Sequence, residues 1–267
     1  YMGGDARIVQ SARVSYGAGT KSYRQDRGLI HYLLRNDHTS PFEQVVLTFH
    51  LKMPVFVARQ WVRHRTARMN EISGRYSVLK EEMYLPEPEH IRPQSTDNKQ
   101  GRSDEPFAGA AEVRERMARE QAEVYAHYQE MVDAGVAREI ARIDLPLSVY
   151  TEFYWQIDLH NLLHFLRLRL DAHAQWEIRA FAERLAECAK AVAPMAYEAF
   201  EEHKIGAVTF SKTELAALAA MLAGDPVALE ERPAKIFAEK LAKLRAAVPV
   251  ETPEDPTLPS PPIEGDK

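Results

Sequence analysis

Two hydrophobic periods run along this chain, and the switches between them predict its elements. In YRQDRGLIHYLLRN (23–36), Leu29, Ile30, Leu33 and Leu34 fall at helical spacing, with polar residues on the other side. After a turn at 37–43 the period changes to two. QVVLTFHLK (44–52) sets Val45, Leu47, Phe49 and Leu51 against Val46, Thr48 and His50, which predicts a half-buried strand. Pro54 suits a helix start, and the pattern predicts a helix over 55–67 that delivers Gln60 and Arg63 near its end. SGRYSVL (73–79) reads as a short strand. Residues 85–106 are rich in Pro, Asp, Asn and Gly without period, and an irregular insert of that length is usually functional.

A long helix is predicted from about Glu105 to Ala134, with Met117, Gln121, Val124, Tyr128 and Met131 on one face and Gly135 as its stop. VAREIAR (136–142) predicts a short helix ended by Pro146. LSVYTEFYWQI (147–157) alternates again, Val149, Thr151, Phe153, Trp155 and Ile157 facing away from Ser148, Tyr150, Glu152, Tyr154 and Gln156. Helices follow at 160–170 and 174–192. Ser211 with Glu214 forms a capping-box start, and one Ala/Leu/Lys/Glu-rich helix is expected to about Ala247. The Pro-rich, acidic stretch 248–267 predicts disorder. Alternating strands favour an α+β fold: an antiparallel sheet flanked by long helices, a single domain over 1–210 with a C-terminal helical extension at 211–247.

Composition narrows the class. The chain has 267 residues, 45% hydrophobic and 27% charged, with a net charge of −5. A general nucleic-acid binder would carry a basic surplus, so none is expected. The longest apolar run, LAALAAMLA (215–223), is too short to span a bilayer. One cysteine, Cys188, and the lack of a secretory signal predict a cytoplasmic protein. The chain begins at Tyr1, so further residues are expected upstream.

Against this acidic balance, RHRTARMNEISGRYS (63–77) stands out. Arg63, Arg65, Arg68 and Arg75 surround Asn70, Glu71 and Ser73, and the planar guanidinium fork suits phosphate. Ser73-Gly74 offers a hydroxyl and a backbone that can approach a ligand closely. A solvated salt-bridge face is the plainer alternative. In DLHNLLHFLRLRLDAHAQW (158–176), His160 and His164 share a helix face, but the Glu of the H-E-x-x-H zinc pattern is missing and no metal is expected. Arg138 and Arg142 share a face of the short helix before Pro146. Cys188, with Leu185 and Val192, reads as a buried structural cysteine. No serine elbow or Gly-rich phosphate loop is present.

Arg63-His64-Arg65 followed at the right distance by Ser73 resembles the RHR-x7-S signature of the flavin-dependent thymidylate synthases. The neighbouring blocks resemble the same family in the same order: HTSPFEQ, NKQGR (98–102), GVAREIARIDLPLSVYTEFYW (135–155) and HNLLHFLRLRLDAHAQWEIR (160–179). Together the blocks cover about residues 5–210.

The resemblance implies that FAD, NADPH and methylenetetrahydrofolate convert dUMP to dTMP, in a homotetramer whose active sites draw on several subunits. Carried onto this sequence, it implies dUMP contacts from Gln60, Arg63, Glu71, Ile72, Ser73, Gly74, Arg75, Arg142 and Arg169. It implies FAD contacts from Ser40, Arg63, His64, Arg65, Glu71, Asp158, Leu159, His160 and His164. Arg169 is the implied catalytic residue: its charge at the polar edge of uracil stabilises anion at N3 and makes C5 more nucleophilic. Reduced flavin supplies the hydride in that family, which removes the need for a cysteine nucleophile. Ser73 is then a binder, and the 85–106 insert is expected to fold over bound substrate. A phosphate-binding module without catalysis and a flavoprotein with a different nucleotide substrate stand as rival readings.

Overall fold

The computed structural model describes residues 1–14, 23–96, 100–227 and 229–247. The chain forms two compact units, Tyr1–Ile205 and Gly206–Lys267. The first unit is α+β. Its elements are α1 (Asp5–Arg13), α2 (Tyr23–Arg35), β1 (Val46–Pro54), α3 (Val55–Trp61), β2 (Arg68–Glu71), α4 (Ala110–Asp133), α5 (Arg138–Ala141), β3 (Tyr150–Asp158), α6 (Leu159–Arg169), α7 (Trp176–Val192) and α8 (Pro194–Phe200).

The sheet has the order β1-β3-β2 and is antiparallel throughout. β1 pairs with β3 from Val46↔Asp158 to Pro54↔Tyr150, and β2 adds four pairs from Arg68↔Gln156 to Glu71↔Phe153. The predicted alternation puts Leu47, Leu51, Met53, Phe153, Trp155 and Ile157 into the core. Around Trp61, itself fully buried, the rings of Phe153, Trp155, Phe165 and Phe181 lie with centroids 4.6–6.4 Å away. This cluster fixes α3, α6, α7 and β3 to one another.

Several expectations are corrected. The helix beginning at Val55 ends at Trp61, not 67, because Trp61 is anchored in the core and the polar Arg63 and Arg65 turn outward beyond it. Residues 73–79 form no strand; the chain turns at 74–76 and bends at 77. The strand lies earlier, at Arg68–Glu71, where every residue is exposed and no apolar alternation could announce it; pairing with β3 alone makes it a strand. α4 begins at Ala110 behind Gly109, and it ends as predicted at Gly135, whose φ is +85°. Two helices carried no prediction: α1 and α8. They are joined by Asp5, whose carboxylate accepts from the N–H groups of Met195 and Ala196 at 2.8 and 3.0 Å and so satisfies the first turn of α8.

In the second unit, Ser211 and Glu214 make the expected reciprocal cap. The single helix expected to Ala247 is two, α9 (Lys212–Ala223) and α10 (Glu231–Ala247). Gly224 ends α9 in the left-handed region at φ +79°, and Pro226 follows, which cannot continue a helix. Lys240 ties α10 back to Glu214 at 2.7 Å. The predicted disordered tail, 248–267, lies outside the described residues. No helix of the described residues is long and apolar enough to cross a membrane.

Candidate active site

The sharp exit from α3 determines where the arginine-rich stretch goes. Beyond Trp61, the N–H groups of Arg63 and His64 bond back to the carbonyls of Gln60 and Trp61 at 3.3 and 3.0 Å, closing a turn. Arg63 and Arg65 point into solvent, and neither side chain has a hydrogen bond or ion pair among the described residues. His64 turns inward, edge-on to Phe165 at 4.7 Å.

At the end of α6, Arg169 reaches His64. Its Nε donates to His64 Nε2 at 3.0 Å. An accepting Nε2 places the ring proton on Nδ1. Burial, then the charges of Arg169 and His164, push the His64 pKa down to about 4, so the ring stays neutral at ordinary pH. His164 lies 6.5 Å from His64, ring to ring, and its own pKa is lowered by burial and by Arg167 and His160. Gln60, in the last turn of α3, donates its Nε2 to Gln175 Oε1.

A second group forms beyond β2. Ser73 starts a turn, its Oγ accepting from the Arg75 N–H at 3.3 Å. Gly74 is buried beneath Arg142: a Cβ there would sit 3.1 Å from Arg142 Nη1 and 3.2 Å from Cδ. Arg75 pairs with Glu139 at 3.0 Å. Glu71 receives a hydrogen bond from Thr151 Oγ1, and Ile72, largely exposed, donates its N–H to the Glu152 carbonyl at 2.9 Å. Among the described residues, no hydrogen bond, ion pair or ring contact joins this group to the His64–Arg169 group.

The remaining residues separate. His160 and His164 line a cavity of about 130 Å³ with His38, Thr39, Arg167 and Lys204. Ser40, next along the chain from Thr39, lies instead in a depression with Arg7, Gln10 and Ser11. Asp158 caps α6, its two oxygens taking the Asn161 N–H at 2.9 Å and the Asn161 side-chain amide at 2.8 Å. Leu159 is 1% exposed and gives its N–H to the Val45 carbonyl, so its side chain belongs to the core. Cys188 is exposed, not buried as expected: α7 turns Ala182, Leu185, Ala186 and Ala189 inward and carries Cys188 out. No group of three or more metal-ligating side chains occurs among the described residues.

The 85–106 insert packs on the start of α7. His90 stacks on Trp176 with centroids 3.7 Å apart, and Arg102 pairs with buried Glu177 at 2.6 Å. Between them opens a polar cleft of about 1040 Å³ that reaches His173 and Gln175. Gln175, Glu177 and Thr151 had no assigned role in the sequence. Only their contacts with Gln60, Arg102 and Glu71 single them out.

Fold and site together define an α+β protein in which two exposed arginines, unpaired among the described residues, and a neutral histidine stand at the exit of a buried helix. The family described as "Thymidylate synthase complementing protein" matches residues 1–195, and "Thymidylate synthase ThyX C-terminal domain" matches 208–247. The flavin-dependent thymidylate synthase of Treponema denticola is 60% identical over 243 residues, 90% of this chain and 91% of that one. That of Ehrlichia ruminantium (strain Gardel) is 52% identical, over 86% of this chain and 78% of that one. A UMP/dUMP methylase, PolB from Streptomyces cacaoi, solved with 5-Br dUMP, superposes with a TM-score of 0.69 at 32% identity, over 76% of this chain and 92% of that one. This chain belongs to the flavin-dependent thymidylate synthase family.

Proposed function

We propose that the protein converts dUMP to dTMP in the cytoplasm, taking its carbon from methylenetetrahydrofolate and releasing tetrahydrofolate. FAD is the bound cofactor, NADPH its reductant, and no cysteine attacks the base. The observation that carries this reading is the bond from Arg169 to a neutral His64. It occupies Nε and leaves both Nη groups of a half-buried guanidinium for a ligand. Burial lowers the Arg169 pKa, but the histidine beside it brings no competing charge. A uracil set against that fork would have negative charge at N3 stabilised by a fixed cation in a partly desolvated place.

The other residues suit the other parts of the ligands. The residues fit a flavin dinucleotide by their donor set: Arg63 and Arg65 are exposed and unpaired among the described residues, as phosphate recognition requires. When bound, FAD would supply the two-electron reduction that no side chain here can perform. Gly74 lets backbone and Arg142 stand against each other, with the Ser73 hydroxyl beside them, as a nucleotide phosphate would need. Ser73 positions and does not attack. The insert over 85–106 covers the bound substrate.

A homotetramer with shared sites follows from the same reading. Arg169 with His64, and Gly74 with Arg142, form separate groups in one protomer. Substrate contacts on both groups would be met by pairing one group with the other group of a second subunit.

The test is the visible spectrum of the purified protein incubated with FAD, then with anaerobic NADPH, then with dUMP. An oxidised-flavin band that bleaches with NADPH and shifts with dUMP is expected. Protein that takes up no FAD refutes the proposal, and a flavoprotein indifferent to dUMP refutes its substrate.

A further inference from the structure

The side chains that β3 turns into the core are Thr151, Phe153, Trp155 and Ile157, and of these Thr151 alone is polar. It is 6% exposed, and a buried hydroxyl needs a partner. Thr151 Oγ1 donates to Oε1 of Glu71, a residue of the neighbouring strand β2. Glu71 stands opposite Phe153, which puts it on the same face of the sheet as Thr151, one diagonal step away. The Ile72 N–H bonds to the Glu152 carbonyl at 2.9 Å, so pairing with β3 runs past Glu71 and holds its backbone on both sides.

Glu71 is itself exposed, and water could satisfy its carboxylate without help. The bond from Thr151 therefore rescues no buried charge. Its effect is to remove the rotational freedom of a long side chain and to set the direction of the second oxygen. That oxygen, Oε2, accepts from no group among the described residues. Ser73 and Gly74 follow two and three residues on, and with Arg142 they supply the phosphate contacts of the proposed function. A carboxylate oxygen beside a phosphate site suits a hydrogen-bond donor and not a second anion. On dUMP the donor nearest the phosphate is the 3′-hydroxyl. The base N3–H lies at the far end of the nucleotide, where the proposed partner is Arg169.

We propose that Thr151 is a positioning residue for the nucleotide: its buried hydroxyl turns the Glu71 carboxylate so that Oε2 accepts from the 3′-hydroxyl of dUMP. The inference rests on the reading of Glu71 as a dUMP contact. Thr151 touches no ligand and acts only through Glu71.

The test is calorimetric binding of dUMP and 2′,3′-dideoxyuridine monophosphate to FAD-loaded protein. Wild type is compared with Thr151→Val, Thr151→Ser, Glu71→Ala and the double variant Thr151→Val/Glu71→Ala. Valine keeps the shape of threonine and removes the hydroxyl, and Thr151→Ala reports the same loss where the valine variant does not fold. Wild type should bind dUMP more tightly than the dideoxy nucleotide. Thr151→Val should bind dUMP about fivefold more weakly, as for one lost hydrogen bond, and lose most of that preference. Thr151→Ser keeps the hydroxyl and should restore both. In the Glu71→Ala background valine should weaken binding no further, because Thr151 then has no carboxylate to direct. Wild-type affinity and preference in Thr151→Val overturn the inference, as do effects of Thr151→Val and Glu71→Ala that multiply, or a loss shared equally by both ligands. A wild type that binds the two ligands equally overturns it too. These outcomes leave the functional reading standing, whereas wild-type protein that binds no dUMP overturns that reading together with this inference.

Discussion

Gly74 lies under the guanidinium of Arg142, so closely that a single added carbon would stand 3.1 Å from Nη1. Gly74 is not among the glycines at positive φ, so alanine fits its backbone and the penalty falls on the arginine. Gly74→Ala is expected to raise the KM for dUMP about tenfold, the size of one displaced charge-assisted hydrogen bond, while the melting temperature stays near wild type. An unchanged KM would remove both residues from the proposed phosphate site.

Arg169 is expected to matter for turnover and not for holding the cofactor. Arg169→Ala should lower kcat about a hundredfold, in the range seen when one donor to a developing anion is removed. Flavin content, read from the absorbance of the purified variant, should remain. Turnover within a few-fold of wild type would take Arg169 off the catalytic list.

His64 predicts a pH dependence with a definite sign. Its pKa falls from 6.5 to about 4 on folding, so between those values the unfolded chain binds a proton that the folded one refuses. The stability this neutral ring contributes is therefore complete above pH 6.5 and is lost as the pH falls toward 4. His31 and His164, also lowered chiefly by burial, add in the same direction. After allowance for partial exposure, His64 accounts for about 1–2 kcal/mol. Denaturant unfolding across this range should show wild type losing that much more stability than His64→Gln, and parallel curves would refute the assignment.

Cys188 is exposed on the outer side of α7. If the chemistry needs no thiolate, Cys188→Ser and alkylated wild-type protein should both turn over dUMP at the wild-type rate. Loss of activity in the serine variant would reopen a thiol mechanism.

Much of the fold was legible because one face of β1, β3, α2 and α7 is apolar and must be buried, and that need leaves a period in the sequence. Gly135 and the Ser211–Glu214 cap were legible for a local reason, since each satisfies helix-end groups within a few residues. β2 carries no such mark. Arg68 to Glu71 bury nothing, and their strand exists only because β3 offers a free edge. The early end of α3 was equally hidden: it depends on the socket around Trp61, whose rings come from β3, α6 and α7.

The site divides along the same line. By itself, the sequence determined the kinds of group available: arginines without a glycine cradle, histidines without a metal pattern, and no nucleophile in a recognisable setting. Residue type is a local property, and phosphate chemistry can be read from it. Tertiary structure decided the states and partners of those groups. His64 is neutral because it is partly buried, with the charge of Arg169, 105 residues away, against it, and Gln60 has a partner because Gln175, at the start of α7, comes within reach of it. Such couplings depend on distances of about 3 Å between distant segments. No spacing along the chain encodes them, because only the packed core brings those segments together.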